Sequence, residues 1–282
     1  MKTEKYTELS EKQKSEIKAL QAECYAPEAL ENVAFLSNAI NYDRTIPCFY
    51  LGYERDALVA FLTTFLPERG EAEIVAFTRP DKRQDGRFAE LLNEAKRELL
   101  GHNITRIVFA VEPKSESGRA TLSTLGATEW VRSEYRMELK GAKRTDDSLR
   151  IVDLDKQNSD VFMKITCQSF GDEKDGDSYL SALLSEGGRQ GYIAYDGDRP
   201  VGTFCFEQKE GGDGFIYGVV ITEPLRGQGY GRKMMNAAVA IGCEKTSTVR
   251  LDVDSSNPPA FELYKKIGFK IVFQVDYYLL KI

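Results

Sequence analysis

GFIYGVVITEPLRGQGYGRKMMNAAVAIG, residues 214–242, is the stretch whose reading decides the fold. Its opening, Phe215 to Ile221, is β-branched and aromatic and reads as a strand. Pro224 stops that strand. Arg226-Gly227-Gln228-Gly229-Tyr230-Gly231 then makes a tight, glycine-rich turn. From Arg232 onward Met235, Val239 and other apolar residues face inward on a helix. Strand, glycine turn and helix in this order aim several main-chain N–H groups at one place. Such orphan donors, with the positive end of the helix dipole, bind anions such as phosphate. Glycine is required where a Cβ would block the approach of a phosphate. Two other phosphate loops are excluded. A G-x-G-x-x-G pattern counted from Gly227 needs glycine where Arg232 stands, and no G-K-[ST] follows. A plain turn with no ligand stays open at this point.

Working outward, the stretch proves to be one of two copies. YIAYDGDRPVGTFCFE from Tyr192 repeats YLGYERDALVAFLTTF from Tyr50, and both read as strand, charged turn, strand. IYGVVITEPLRGQGYGRKMM from Ile216 repeats EIVAFTRPDKRQDGRFAELL from Glu73. RLDVDSSNPPAFELYKKIGF repeats VFAVEPKSESGRATLSTLGA, with Gly268 matching Gly126, and VDYYLLKI repeats SEYRMELK. Four segments in one order at one spacing indicate a tandem duplication. The joint falls in KGAKRTDDS, residues 140–148, which is polar, charged and linker-like. Each copy is expected to open with two helices, Lys12–Cys24 and Ala29–Ala39 in the first, Ser159–Phe170 and Ser178–Glu186 in the second. A hairpin, a strand, the turn, a helix, a strand, a helix and a final pair of strands follow. Strands and helices alternating in this way imply an α/β or α+β sheet with helices on both faces.

Composition narrows the function classes. The chain has 282 residues, 42% hydrophobic and 29% charged, so each half can bury its own core. Its apolar runs are too short to span a bilayer, and MKTEKYTELSEKQKSEIKAL lacks the apolar core of a signal peptide. A cytoplasmic protein with no membrane partner is expected. The net charge of −6 disfavours a nucleic-acid surface. Cys24, Cys48, Cys167, Cys205 and Cys243 form no CxxC pair and are expected reduced and mostly buried. With His102 the single histidine, placed in a loop, neither a metal site nor a Ser-His-Asp triad in the second copy is expected.

The turn and the segment after it together resemble a known family. Arg226-x-x-Gly229-x-Gly231 is similar to the R/Q-x-x-G-x-G/A pyrophosphate loop of the GNAT N-acetyltransferase superfamily. LDVDSSNPPAFELYKKIGF resembles that superfamily's next region: strand, Asn-Pro, a helix bearing a tyrosine, then Gly-Phe. The resemblance covers about residues 150–282. It implies two tandem GNAT-like domains, each a mixed, splayed β-sheet flanked by helices. Residues 1–141 would be a degenerate copy and 148–282 a catalytic one. It further implies acetyl-CoA as acyl donor, with no metal. Main-chain groups of Val219, Val220 and Ile221 would pair with the donor's pantetheine arm. Arg226, Gly227, Gln228, Gly229, Tyr230 and Gly231 would cradle the pyrophosphate, and Arg232 would add charge. Asn257 would hydrogen-bond the arm or shape the cleft. Tyr264 would protonate the leaving thiolate, a task a phenol can serve; a packing residue on an amphipathic helix is the other reading of it.

The general base is not legible. Glu207, Asp213, Asp252 and Asp254 are candidates, as is a water, and a solvated strand face accounts equally well for each carboxylate. In the first copy Phe88 stands where the second has Gly231, Ser115 where it has Asn257, and Leu122 where it has Tyr264. Asp85 adds a negative charge where a phosphate would lie. The first copy is therefore expected to keep the fold without binding acetyl-CoA productively. The sequence points to transfer of an acetyl group to a primary amine of a small molecule or peptide. A non-catalytic acyl-CoA-sensing or protein-interaction module is the alternative. A monomer or homodimer is expected.

Overall fold

The computed structural model describes residues 1–141, 148–170, 180, 181, 183, 184, 188–209 and 211–282. The chain forms two compact units. The first comprises Met1–Ser133 and Gln274–Ile282, the second Glu134–Phe273. The units therefore do not follow one cut in the sequence. The last strand of each copy is exchanged: residues 134–140 complete the second unit, and 274–282 complete the first.

In the first unit the order is β1 (Lys2–Tyr6), α1 (Glu11–Tyr25), β2 (Phe49–Glu54), β3 (Ala57–Phe65), β4 (Glu71–Thr78), α2 (Arg87–Gly101), β5 (Arg106–Val111) and α3 (Glu116–Leu125). Strand β6 (Glu129–Lys140) leads into the second unit, which continues with β7 (Arg150–Asp153), α4 (Ser159–Phe170), β8 (Arg189–Asp196), β9 (Arg199–Gln208), β10 (Gly214–Ile221), α5 (Tyr230–Lys245), β11 (Thr248–Asp254) and α6 (Pro258–Ile267). Strand β12 (Lys270–Lys281) returns to the first unit. Among the described residues no helix is long and apolar enough to cross a membrane.

The first unit's sheet runs β1-β2-β3-β4-β5-β12 and the second's runs β7-β8-β9-β10-β11-β6. Position by position the two orders are the same. In each, the fourth and fifth strands are parallel and the rest antiparallel. Each sheet packs helices on both faces. In the first unit Leu91, Leu92, Ala95 and Leu99 of α2 cover one face, with Tyr278 and Leu280 of β12 in the same cluster. Ile17, Leu20 and Cys24 of α1 cover the other. In the second unit Met234, Met235, Ala238 and Val239 of α5 pack with Met137 and Leu139 of β6. Phe162 of α4 packs on the opposite face with Ile193 and Cys205.

Several expectations are corrected. Each copy ends on one long strand rather than a pair. Residues Ala29–Ala39 are not helical. Ala29 adopts φ +50° and closes a short 3-10 turn. Beyond it Ala34 and Asn38 are buried while Val33, Phe35 and Ser37 are exposed, the alternation of an extended chain. Side chains satisfy that segment's backbone in place of a helix ladder. Glu112 Oε1 accepts from the N–H of Glu31 at 2.6 Å and of Asn32 at 2.7 Å, and Gln21 Nε2 donates to Asn32 O at 2.6 Å. Helix α1 forms as expected, with Ser10 and Gln13 making a capping box. The helix expected over 178–186 lies largely outside the described residues, of which 180, 181, 183 and 184 are helical. Most of the linker, residues 142–147, lies outside them too.

Candidate active site

In the second unit β10 pairs with β11 only at Gly214–Val249 and Phe215–Arg250. Strand β10 runs on to Ile221 and β11 to Asp254, so the two part company for most of their length. A bulge against β9 between Tyr217 and Val220, at Gly218 with φ +60°, re-aims the open part of β10. Thr222 N–H donates to Val201 O at 3.0 Å. Alternation along that ladder turns the main-chain groups of Val219 and Ile221 toward the cleft and those of Val220 away from it.

The open edge ends on the turn. Gly227 and Gly229 have φ +75° and +85°, and Gly229 caps α5 with no side-chain hydrogen bond. The N–H groups of Tyr230 and Gly231 thus have no intrahelical acceptor. Arg226 Nε donates to Ile221 O at 3.2 Å and Gln228 Nε2 to Pro224 O at 2.8 Å, so both side chains fasten the turn to itself. Tyr230 Oη donates to Asp196 Oδ2 at 2.7 Å. Arg232 and Lys233 are exposed at the start of α5 and make no ion pair among the described residues. Thr222 Oγ1 is buried without a hydrogen-bond partner beside this turn. A Cβ on Gly231 would lie 3.4 Å from Leu263, in ordinary contact, so the fold alone does not demand glycine there.

Tyr264 sits on α6 in the same apolar cluster, 7% exposed, with its ring 6.1 Å from Phe269. Burial pushes its phenol up to about 12. Asn257 is the N-cap of α6 and accepts from Ala260 N–H at 3.2 Å. Ser115 caps α3 in the same way, accepting from Gly118 N–H at 3.1 Å. The Asn257/Ser115 difference is therefore a change of cap between two good capping residues.

The base candidates are occupied. Burial raises the Glu207 carboxyl, but Lys209 at 2.7 Å and Arg189 at 3.1 Å outweigh it and hold the group below its ordinary value. Asp213 pairs with Arg250 at 2.7 Å. Asp252 takes a two-pronged bond from Arg136, at 2.9 and 3.0 Å. Asp254 accepts from Ser256 N–H at 2.7 Å, closing the turn into α6. Arg136 comes from β6, so nothing local in the sequence could have matched it to Asp252. Lys233 was also missed, although it follows Arg232 directly. Among the described residues no group of three His, Cys, Asp or Glu side chains could hold a metal ion.

The first unit repeats the turn's backbone. Gln84 and Gly86 have φ +63° and +77°, matching Gly227 and Gly229. Arg83 Nε donates to Thr78 O at 3.1 Å, as Arg226 does to Ile221. Gln84 holds a left-handed conformation that disfavours a side chain by about 1–2 kcal/mol.

A splayed α/β sheet with a glycine turn at an uncapped helix start, present twice, defines a tandem protein of acetyltransferase fold. Residues 159–269 match the model of the Acetyltransferase (GNAT) family. No curated protein matches the sequence. Among solved structures the chain is similar to a GCN5-related N-acetyltransferase from Sphaerobacter thermophilus, with a TM-score of 0.71, 16% identity, and coverage of 94% of this chain and 91% of that one. It is also similar to a tandem GNAT protein from the clavulanic acid biosynthesis pathway, with a TM-score of 0.67, 13% identity, and coverage of 99% and 98%. An acetyltransferase from the GNAT family of Colwellia psychrerythraea matches over 100% of both chains, with a TM-score of 0.70 and 11% identity. At these identities the likeness is one of fold.

Proposed function

We propose that the second unit transfers an acetyl group from acetyl-CoA directly to a primary amine of a small molecule or peptide. One observation carries this reading: the open edge of β10 ends on a helix start with unspent N–H groups and unpaired cations. The donor supplies the acetyl group as a thioester. Val219, and Ile221 through its N–H, offer main-chain hydrogen bonds to its amide arm, and the N–H groups of Tyr230 and Gly231 face its pyrophosphate. Arg232 and Lys233 add the positive charge that a diphosphate needs. Thr222 Oγ1 is a further donor in reach of the same turn.

The chemistry suits Tyr264 as a hydrogen-bond donor to the leaving sulfur. With its phenol near 12, full proton transfer to an ordinary thiolate of pKa about 8.5 is uphill by about 4–5 kcal/mol. A hydrogen bond donated to the developing thiolate avoids that penalty. The proton that finally rests on the thiol then originates from the amine. With the carboxylates held in ion pairs and a cap, water is the group left to relay it.

That occupation of the carboxylates is also the one observation favouring a non-catalytic acyl-CoA-binding module. Release of free thiol from acetyl-CoA, with a panel of amines, separates the two. The enzyme reading expects turnover with at least one amine class; CoA binding with no thiol release from any amine supports the module. Tyr264→Phe is expected to lower kcat by about 100-fold while the Kd for CoA stays within about twofold. An unchanged kcat removes Tyr264 from the mechanism.

A further inference from the structure

The first unit contains a cavity of about 450 Å³ where β4 leaves β5, with Ile74, Ala76, Phe88, Phe109, Leu122 and Leu125 among its walls. Pairing with β5 stops at Ile74–Phe109, whereas β4 continues to Thr78. On its other edge β4 pairs with β3, and Arg79 N–H donates to Val59 O at 2.9 Å. Alternation along this ladder turns the N–H and C=O of Ala76 and the N–H of Thr78 into the cavity. The site therefore offers main-chain donors and an acceptor between largely apolar walls. An extended chain bearing secondary amides satisfies both.

The mouth of the cavity differs from that of the second unit. Here the cations are already neutralised. Arg87 pairs with Glu54 and, at 2.8 Å, with Asp85; Lys82 pairs with Glu54 at 3.1 Å. Arg83 pairs with Glu28 at 3.5 Å and Arg79 with Asp81 at 2.7 Å. Arg79, Lys82, Arg83 and Arg87 thus meet Asp81, Glu54, Glu28 and Asp85, four charges against four. Phe88 occupies the place of Gly231 and packs against the apolar core. A diphosphate brought here meets no net positive charge, and its desolvation goes uncompensated.

We propose that this cleft is a second ligand site, selective for an uncharged, extended, amide-bearing chain and not for a phosphate-bearing one. Ala76 and Thr78 bind the chain as an added strand, and Leu122 stands in the place of Tyr264, so the phenol assigned to the second unit's leaving group has no counterpart at that position. The occupant is held and not turned over. This stands independently of the activity proposed for the second unit.

The test uses the full chain with methyl-labelled Ile and Leu, reading the Ile74 and Leu122 resonances. Two probes are titrated: pantetheine, which is uncharged and carries two secondary amides, and CoA, which adds phosphates to the same arm. Pantetheine is expected to shift these resonances saturably, and CoA to half-saturate only at a concentration about tenfold or more higher, a difference of about 1.4 kcal/mol or more. Ala76→Pro removes the N–H that faces the cavity and leaves the ladder to β3. It is expected to weaken pantetheine by about tenfold or more. Glu54→Gln releases Lys82, leaves Arg87 on Asp85 alone, and so adds one net positive charge at the mouth; it is expected to shift the preference toward CoA by about fivefold or more. The proposal is overturned by an absence of saturable shifts with pantetheine, or by CoA binding as tightly as pantetheine or tighter in the unaltered chain. It is equally overturned by Ala76→Pro binding pantetheine as tightly with β3 amides unchanged, or by Glu54→Gln leaving the preference where it was.

Discussion

Tyr264 is buried among apolar residues, and its hydroxyl makes no hydrogen bond among the described residues. Its phenol is raised from 10 to about 12 in the folded chain. The folded state therefore holds this proton over a range where the unfolded chain has released it. The resulting stability is fully present below pH 10 and is lost as pH rises through about 12, amounting to about 2–3 kcal/mol at most. Denaturant titrations at pH 9, 10 and 11 should show stability falling more steeply in the unaltered chain than in Tyr264→Phe. Tyr25, Tyr50 and Tyr217 are also raised, so the difference between the two chains is the relevant quantity. For Glu207 the sign is opposite. Its carboxyl is depressed, so its contribution is present above the unfolded value and lost as pH falls through the folded one. A depressed carboxylate is also a weak base. Glu207→Gln is expected to keep kcat within about threefold, against the 100-fold or more of a true general base; a loss of that size in steady-state assays would restore Glu207 as the base.

Among the elements, those with a strong period were legible and those fixed by distant partners were not. The hairpin β8–β9, strand β10, the turn and helix α5 follow from local pattern, because β-branched runs, glycines and apolar spacing act locally. Residues 29–39 misled because Ala29, Val33 and Leu36 fall at helical spacing, yet Glu112 and Gln21 from elsewhere in the chain fix the segment as extended. Strands β1 and β7 were missed because KTEKY is short and largely polar and RIVD has only four residues, too few to establish a period. The exchange of β6 and β12 was hidden for another reason: two long strands of similar pattern serve either sheet edge equally well on paper. It makes a sharp prediction. Met137 belongs to the first copy but is fully buried in the second unit's core. Met137→Ala is expected to destabilise the second unit by about 2–5 kcal/mol. Hydrogen exchange should then rise in peptides of β11 and α5 and stay unchanged in those of α1 and α2. The reverse pattern would refute the exchange.

For the molecule as a whole, the duplication was legible but its consequence for independence was not. A cut at the linker, giving residues 148–282, removes β6 from the second unit. Seven paired positions along β11, Thr248 to Asp254, lose their partner strand. The core loses Met137 and Leu139, at about 2–5 kcal/mol each, out of a typical total of about 5–15 kcal/mol. The fragment also carries β12 from residue 274 onward without the β5 edge it pairs with, so Tyr277 and Leu279 become exposed. We expect it to aggregate or to dimerise through its open strands. Residues 129–273 contain the whole second unit, β6 included. That fragment is expected to be a folded monomer that binds CoA with the Kd of the full chain, within about threefold. Removing residues 274–282 alone should destabilise the first unit, where β12 pairs with β5 from Arg106 to Val111, and spare the second. Size-exclusion chromatography with light scattering, followed by CoA titration, distinguishes the fragments. A monomeric 148–282 fragment as active as the full chain would mean that the second copy needs nothing from the first.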